Sequence, residues 1–156
     1  MSKNYGIVRL DLMAGHANHY DIDAPIENGL LAEIDYATGK IVPTTDPTKD
    51  QVLVASVANL YDSTDESNFR NEPNGMKVRT FDFVKSDYFT TTQLDYSGDR
   101  ATFATIAKGD YASGVVGGKF KFTTSPPVPA TAQVFRVEAR TSLNGYEAIV
   151  LQVDKQ

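Results

Sequence analysis

The chain has 156 residues, with 20 Asp or Glu against 15 Lys or Arg, a formal net charge of −5 and no cysteine. That length suits one domain able to bury a core without a covalent staple. The missing cysteines exclude a disulfide framework, a thiolate metal site and a cysteine nucleophile. The acidic balance, with no basic run longer than two residues, speaks against nucleic acid as a partner.

At the start of the chain, Arg9 and Asp11 interrupt what would otherwise be the apolar core of a signal peptide. No stretch approaches the ~18–20 apolar residues that a membrane-crossing helix needs. The expectation is a soluble protein made in the cytoplasm, with no membrane partner.

Val8, Leu10 and Leu12 alternate with charged residues, the pattern of a half-buried strand. The following AGHANHYDIDAP has no periodicity. Residues 1–29 therefore read as an extended N-terminal arm with one strand, which pairs with the body or with a neighbour. A first strand of the main sheet plus a loop is the alternative. Residues 30–156 read as a β-rich body.

Within that body a strand over 30–36 precedes the turn Ala37-Thr38-Gly39-Lys40, and IVPTTDPTKD reads as a surface loop. The run QVLVASVANLY has the β-branched, continuously apolar character of a central strand buried on both faces. The acidic loop 62–68 has room for a helical turn capped by Asp62 or Ser63. Further strands are expected over 76–84, 88–94, 100–107 and 118–124. Arg79, Phe81, Phe83 and Lys85 share one parity in the first of these.

Pro126, Pro127 and Pro129 make SPPVP a stiff exposed connector. The segments 133–140 and 146–153 flank Asn144-Gly145, a pair that favours the positive φ angles of a tight hairpin turn. The fold class expected is all-β and mainly antiparallel. It would be a small barrel or sandwich with the N-terminal arm and at most one or two short helices.

No catalytic constellation emerges. His16 and His19 would share a face only on a helix, which Gly15 and Asn18 disfavour, and no carboxylate completes a metal-ligand spacing. SGVVGGKF resembles a phosphate loop superficially. Ser113 holds the position of its first glycine, however, and Phe120 that of the magnesium-binding hydroxyl, so a turn feeding a strand is expected instead. There is no Gly-x-Ser-x-Gly elbow. The acidic loop fails the calcium pattern, with Thr64 and Glu66 at ligand positions.

The expectation is therefore no enzyme, no cofactor and no metal. What remains is surface. Eight tyrosines and eight phenylalanines exceed the needs of so small a core, and those beside cations are candidates for an interface, where aromatics and arginine are enriched. Arg79, Lys119 and Lys121 in the body, with Tyr5 and Arg9 in the arm, are the candidate contact residues.

Several weak motifs occur in a fixed order. They are Glu27-Asn28-Gly29-Leu30, Leu60-Tyr61-Asp62, Phe69-x-Asn71, Asn74-Gly75 and Val78-Arg79-x-Phe81. Lys85-Ser86-Asp87-Tyr88-Phe89, Gly109-Asp110-Tyr111 and the closing Phe135-Arg136-Val137-Glu138 … Leu151-Gln152-Val153 hairpin follow. In that order, over about residues 26–154, the chain resembles the capsid decoration (cement) proteins of tailed bacteriophages. It departs from them at Ser86, where the family commonly has glycine, and in its longer N-terminal segment.

The resemblance implies a structural virion protein that binds the outer surface of the expanded major-capsid lattice and stabilises the head. It implies the major capsid protein as partner, residues 30–156 as the decoration domain, and a location on the outside of the virion after synthesis in the host bacterial cytoplasm. Self-association is also expected. A trimer is favoured because capsid lattices offer threefold positions, with a dimer or monomer as alternatives. Other readings are a different β-rich virion component (tail-tube, adaptor or baseplate protein) and a carbohydrate-binding β-sandwich, against which the absence of tryptophan counts.

Overall fold

The computed structural model describes residues 4–57, 66–75 and 77–155. In chain order its strands are β1 (Val8–Leu12), β2 (Ala17–Tyr20), β3 (Leu31–Asp35), β4 (Lys40–Pro43), β5 (Val52–Val54) and β6 (Val78–Phe81). There follow β7 (Tyr88–Thr91), β8 (Leu94–Asp95), β9 (Tyr111–Gly114), β10 (Phe120–Thr123), β11 (Val134–Leu143) and β12 (Tyr146–Lys155). Two 3-10 turns lie at Glu66–Asn68 and Phe103–Thr105.

The strands form a seven-stranded sheet in the order β1-β7-β12-β11-β9-β10-β8 and a five-stranded sheet in the order β2-β6-β5-β3-β4. Every strand ladder is antiparallel except that of β8 with β10. Of the two all-β architectures expected, the chain adopts the sandwich and not the closed barrel.

The two sheets meet over one apolar layer, because side chains alternate across a strand. Phe89, Phe120, Phe122, Phe135, Ile149 and Leu151 of the larger sheet share a cluster with Leu31 and Leu53 of the smaller. At its centre the rings of Phe83, Phe89, Phe120 and Phe135 lie with centroids 5.0 to 5.8 Å apart, several of them edge to face.

The smaller sheet is buried on its other face as well. There Ala32, Ile41, Val52, Val54 and Val78 are covered by Ile22, Ile26 and Leu30 from the incoming chain. This double burial is why β5 reads as continuously apolar in sequence.

The hairpin of β11 and β12 turns on Asn144 (φ 51°) and Gly145 (φ 83°), with Leu143 facing Tyr146. Both strands run beyond the segments expected from sequence. The first 29 residues hold two strands where one was expected, and both pair with the body. β1 lies antiparallel on β7 and β2 on β6, so consecutive strands join different sheets. The second was hidden because Ala-Asn-His-Tyr has no buried residue and hence no apolar alternation.

Other departures have similar causes. The supposed loop after residue 40 begins with β4, an edge strand ending at Pro43, where a missing N–H is tolerated. Residues 100–107 contain a 3-10 turn and no strand. Phe103 and Ile106, three apart, both reach the core from it. β9 carries little strand signal of its own, since it ends in Gly114 and Gly117 and Gly118 follow. The parity shared by Arg79, Phe81, Phe83 and Lys85 ends with β6 at Phe81, and Phe83 enters the core from a loop. The acidic-loop cap at Asp62 or Ser63, the end of the apolar run at 58–61 and Met76 lie outside the described residues.

Candidate functional site

The five candidate contact residues do not converge on one patch. The Tyr5 ring lies 4.8 Å from the Arg70 guanidinium, and its backbone N–H donates to the Ser67 carbonyl. Arg9, on edge strand β1, donates to Asp11 at 2.7 Å and to the Thr90 hydroxyl at 3.3 Å. Arg79 is on the smaller sheet. Its Nε donates to the Ala55 carbonyl at 2.6 Å and its guanidinium lies 5.0 Å from the Phe81 ring.

Lys121 is on β10 opposite Asp95, on the outward face of the larger sheet. Lys119 is exposed at the turn before it. Arg9 and Lys121 share that outward face but are separated by β7, β12, β11 and β9, about 24 Å at the usual strand spacing.

The same face carries a row that sequence reading did not assemble. Leu12, Tyr88, Gln152, Arg136 and Tyr111 are successive cross-strand partners. The Arg136 guanidinium sits 4.0 Å from the Tyr111 ring and also donates to the Gly109 carbonyl. Leu12 is 66% exposed.

Four polar residues of the ordered motifs, Asn28, Asn71, Asp87 and Asp110, are buried and hold the chain in register. The Asn28 amide donates to the Ser56 carbonyl and accepts from the Ser56 N–H, both at 2.9 Å, which imitates a strand ladder. Asn71 donates to Asn28 Oδ1 and to the Ile26 carbonyl. The buried Asp87 carboxylate accepts from the N–H groups of Ala14 and Val84. Asp110 accepts a two-pronged bond from Arg100 at 2.8 Å and another from the Ala107 N–H. Burial pushes the Asp110 carboxyl upward, but the bonds from Arg100 and Ala107 and the guanidinium charge outweigh it and hold its pKa below the ordinary value.

The phosphate-loop lookalike also serves the fold. Val115 and Lys119 close a tight turn, and a Cβ on Gly118 (φ 92°) would come within 2.3 Å of the Leu31 carbonyl oxygen. Glycine is required there so that the turn can lie against β3.

A cleft of about 960 Å³ opens beside β3 and the 45–51 loop. Leu31, Glu33 and Asp35 lie on one face of β3. Leu31 packs in the inter-sheet core, while Glu33 and Asp35 continue that face into the cleft. The 45–51 loop closes one side with Thr45, Lys49, Asp50 and Gln51, and Asp82, Phe83 and Gln133 close another. Tyr36 stands at its mouth, 86% exposed.

Glu33 is only 7% exposed and accepts on Oε1 from both the N–H and the hydroxyl of Thr45. Gln51 N–H donates to Gln133 Oε1, and Gln133 donates in turn to Asp50. The sequence signal for this site was slight: acids at alternate positions continuing the apolar face of β3.

Chemically the cleft is a set of hydrogen-bond acceptors over an apolar floor. Among the described residues, no group of three or more His, Cys, Asp and Glu side chains is gathered closely enough to hold a metal ion. His16 is exposed beside β2 and His19 is exposed on it. Comparison with protein-family models, with curated proteins and with solved structures gives no match.

Proposed function

We propose that this protein is a structural, protein-binding component of a phage head, docking on the outer surface of an expanded capsid lattice and bracing it. The observation that carries the reading is the ordered motif string of the sequence. Its glycine turns fall at left-handed backbone positions, Gly29, Gly75 and Gly109, so the resemblance rests on residues that the fold itself favours.

Two features support it further. The outward face of the larger sheet presents an aromatic and arginine row, the composition favoured at the centre of interfaces. The row crosses five strands, about 19 Å at the usual spacing. The sandwich is also held by a shared aromatic core and buried polar ties, the rigidity a brace needs to transmit load. A ligand that binds only the assembled shell stabilises it by about 2.7 kcal/mol per site at a hundredfold excess over Kd. Repeated over a lattice, modest affinity becomes resistance to rupture.

Co-sedimentation with cognate capsids, unexpanded and expanded, tests the reading. The expected result is binding to expanded shells alone, at a copy number matching one class of lattice position. Binding to neither form would overturn it.

A further inference from the structure

We infer that the cleft beside β3 receives a lysine or arginine side chain from an extended basic segment of a partner protein. Four carboxylates line it, Glu33, Asp35, Asp50 and Asp82, against one cation, Lys49. Among the described residues none of the five forms an ion pair, whereas six other pairs hold salt bridges elsewhere in the molecule. The cleft therefore has an acidic excess that its own side chains do not neutralise.

Glu33 sharpens the argument. Most of its side chain is buried, yet Oε2 is not among the fully buried polar atoms and so keeps an open side toward the cleft. Its Oε1 is occupied by Thr45, while Oε2 has neither a hydrogen-bond partner nor a cation among the described residues. A guanidinium or ammonium entering the cleft would supply both.

The surroundings suit a long cationic side chain better than an ion. Val42, the cross-strand partner of Glu33 on the same face, and Phe83 accept an alkyl stem. Tyr36, exposed at the mouth, offers a ring face to a cation. The carboxylates are too dispersed for three of them to close on one metal ion, but side chains spaced along a peptide can meet them in turn. The inference is independent of the decoration reading, since failure to bind shells would leave the peptide experiment below unaffected.

Acetylated hexa-arginine and hexalysine, titrated into the ¹⁵N-labelled protein and followed by backbone amide shifts, provide the test. The expected result is saturable shifts confined to residues 33–36, 45–52 and 82–83. Glu33→Gln and the surface change Asp50→Asn should each weaken binding by about tenfold.

Glu147→Gln removes the same charge at the opposite end of the β11–β12 hairpin, roughly 30 Å away along the strand, and should leave affinity within about twofold. Asp50 is exposed and its replacement does not threaten folding, so a Glu33 variant that fails to fold leaves the test intact. The inference is overturned if no cleft amide moves at millimolar peptide, if Glu147→Gln weakens binding as much as Asp50→Asn, or if calcium alone reproduces the shifts.

Discussion

Ser86 holds a left-handed backbone, φ 77°, in the turn that delivers Asp87 and β7. Its N–H donates to the Val153 carbonyl and its side chain is exposed, so the conformation is imposed by the turn and not by a contact of the serine. For a residue with a Cβ this region costs about 1–2 kcal/mol, partly offset by the greater unfolded-state freedom of glycine. Ser86→Gly should therefore raise stability by about 0.5–1 kcal/mol, read as a higher denaturant midpoint with an unchanged slope.

Asp110 makes the opposite prediction. Because its folded pKa is lowered, the stability it contributes is full above the unfolded Asp value of about 3.9 and is lost as pH falls through the folded value. Asp110→Asn should cost about 1–3 kcal/mol at pH 7 and flatten part of the acid limb. Unfolding of both proteins in denaturant at pH 7 and at pH 2–3 checks this, with the difference shrinking at the lower pH.

Among the elements, those with one apolar face or a decisive turn were legible in the sequence. β1 alternates Val8, Leu10 and Leu12, and the β11–β12 hairpin declares itself through Asn144-Gly145. The apolar run containing β5 announced double burial, which Leu53 on one face and Val52 and Val54 on the other display. Elements whose stability comes from partners were not legible. β2 is a polar edge strand defined by β6, and β9 ends in Gly114, whose added Cβ would lie 2.8 Å from Leu31 Cδ1. In each case a neighbour distant in sequence overrides weak local preference. The cleft was obscure for the same reason. Glu33 and Asp50 are seventeen residues apart and meet only because β3 and the 45–51 loop wall the same cavity.

At the scale of the whole molecule, the start of the chain belongs to both sheets. β1 covers the edge of β7, β2 covers the edge of β6, and Ile22 and Ile26 seal the far face of the smaller sheet. Burial of Ile7 and Ile22 alone is worth about 3–6 kcal/mol, a large share of the roughly 5–15 kcal/mol by which a domain is stable. Val8 and Leu10, packed against the main core, add to it.

Removing residues 1–25 would strip these contacts and uncover two strand edges at once, each a template for pairing with another chain. The truncated protein should lose cooperative thermal unfolding and elute as aggregate in size-exclusion chromatography. A monomeric truncation with an unchanged melting temperature would show that the two edge strands are dispensable. Because the expected damage is to the fold, lost shell binding by such a truncation would say nothing of an arm that grips a neighbour. Arg9→Ala, which removes an exposed side chain from the outward face and leaves β1 in place, separates a role in contact from a role in folding.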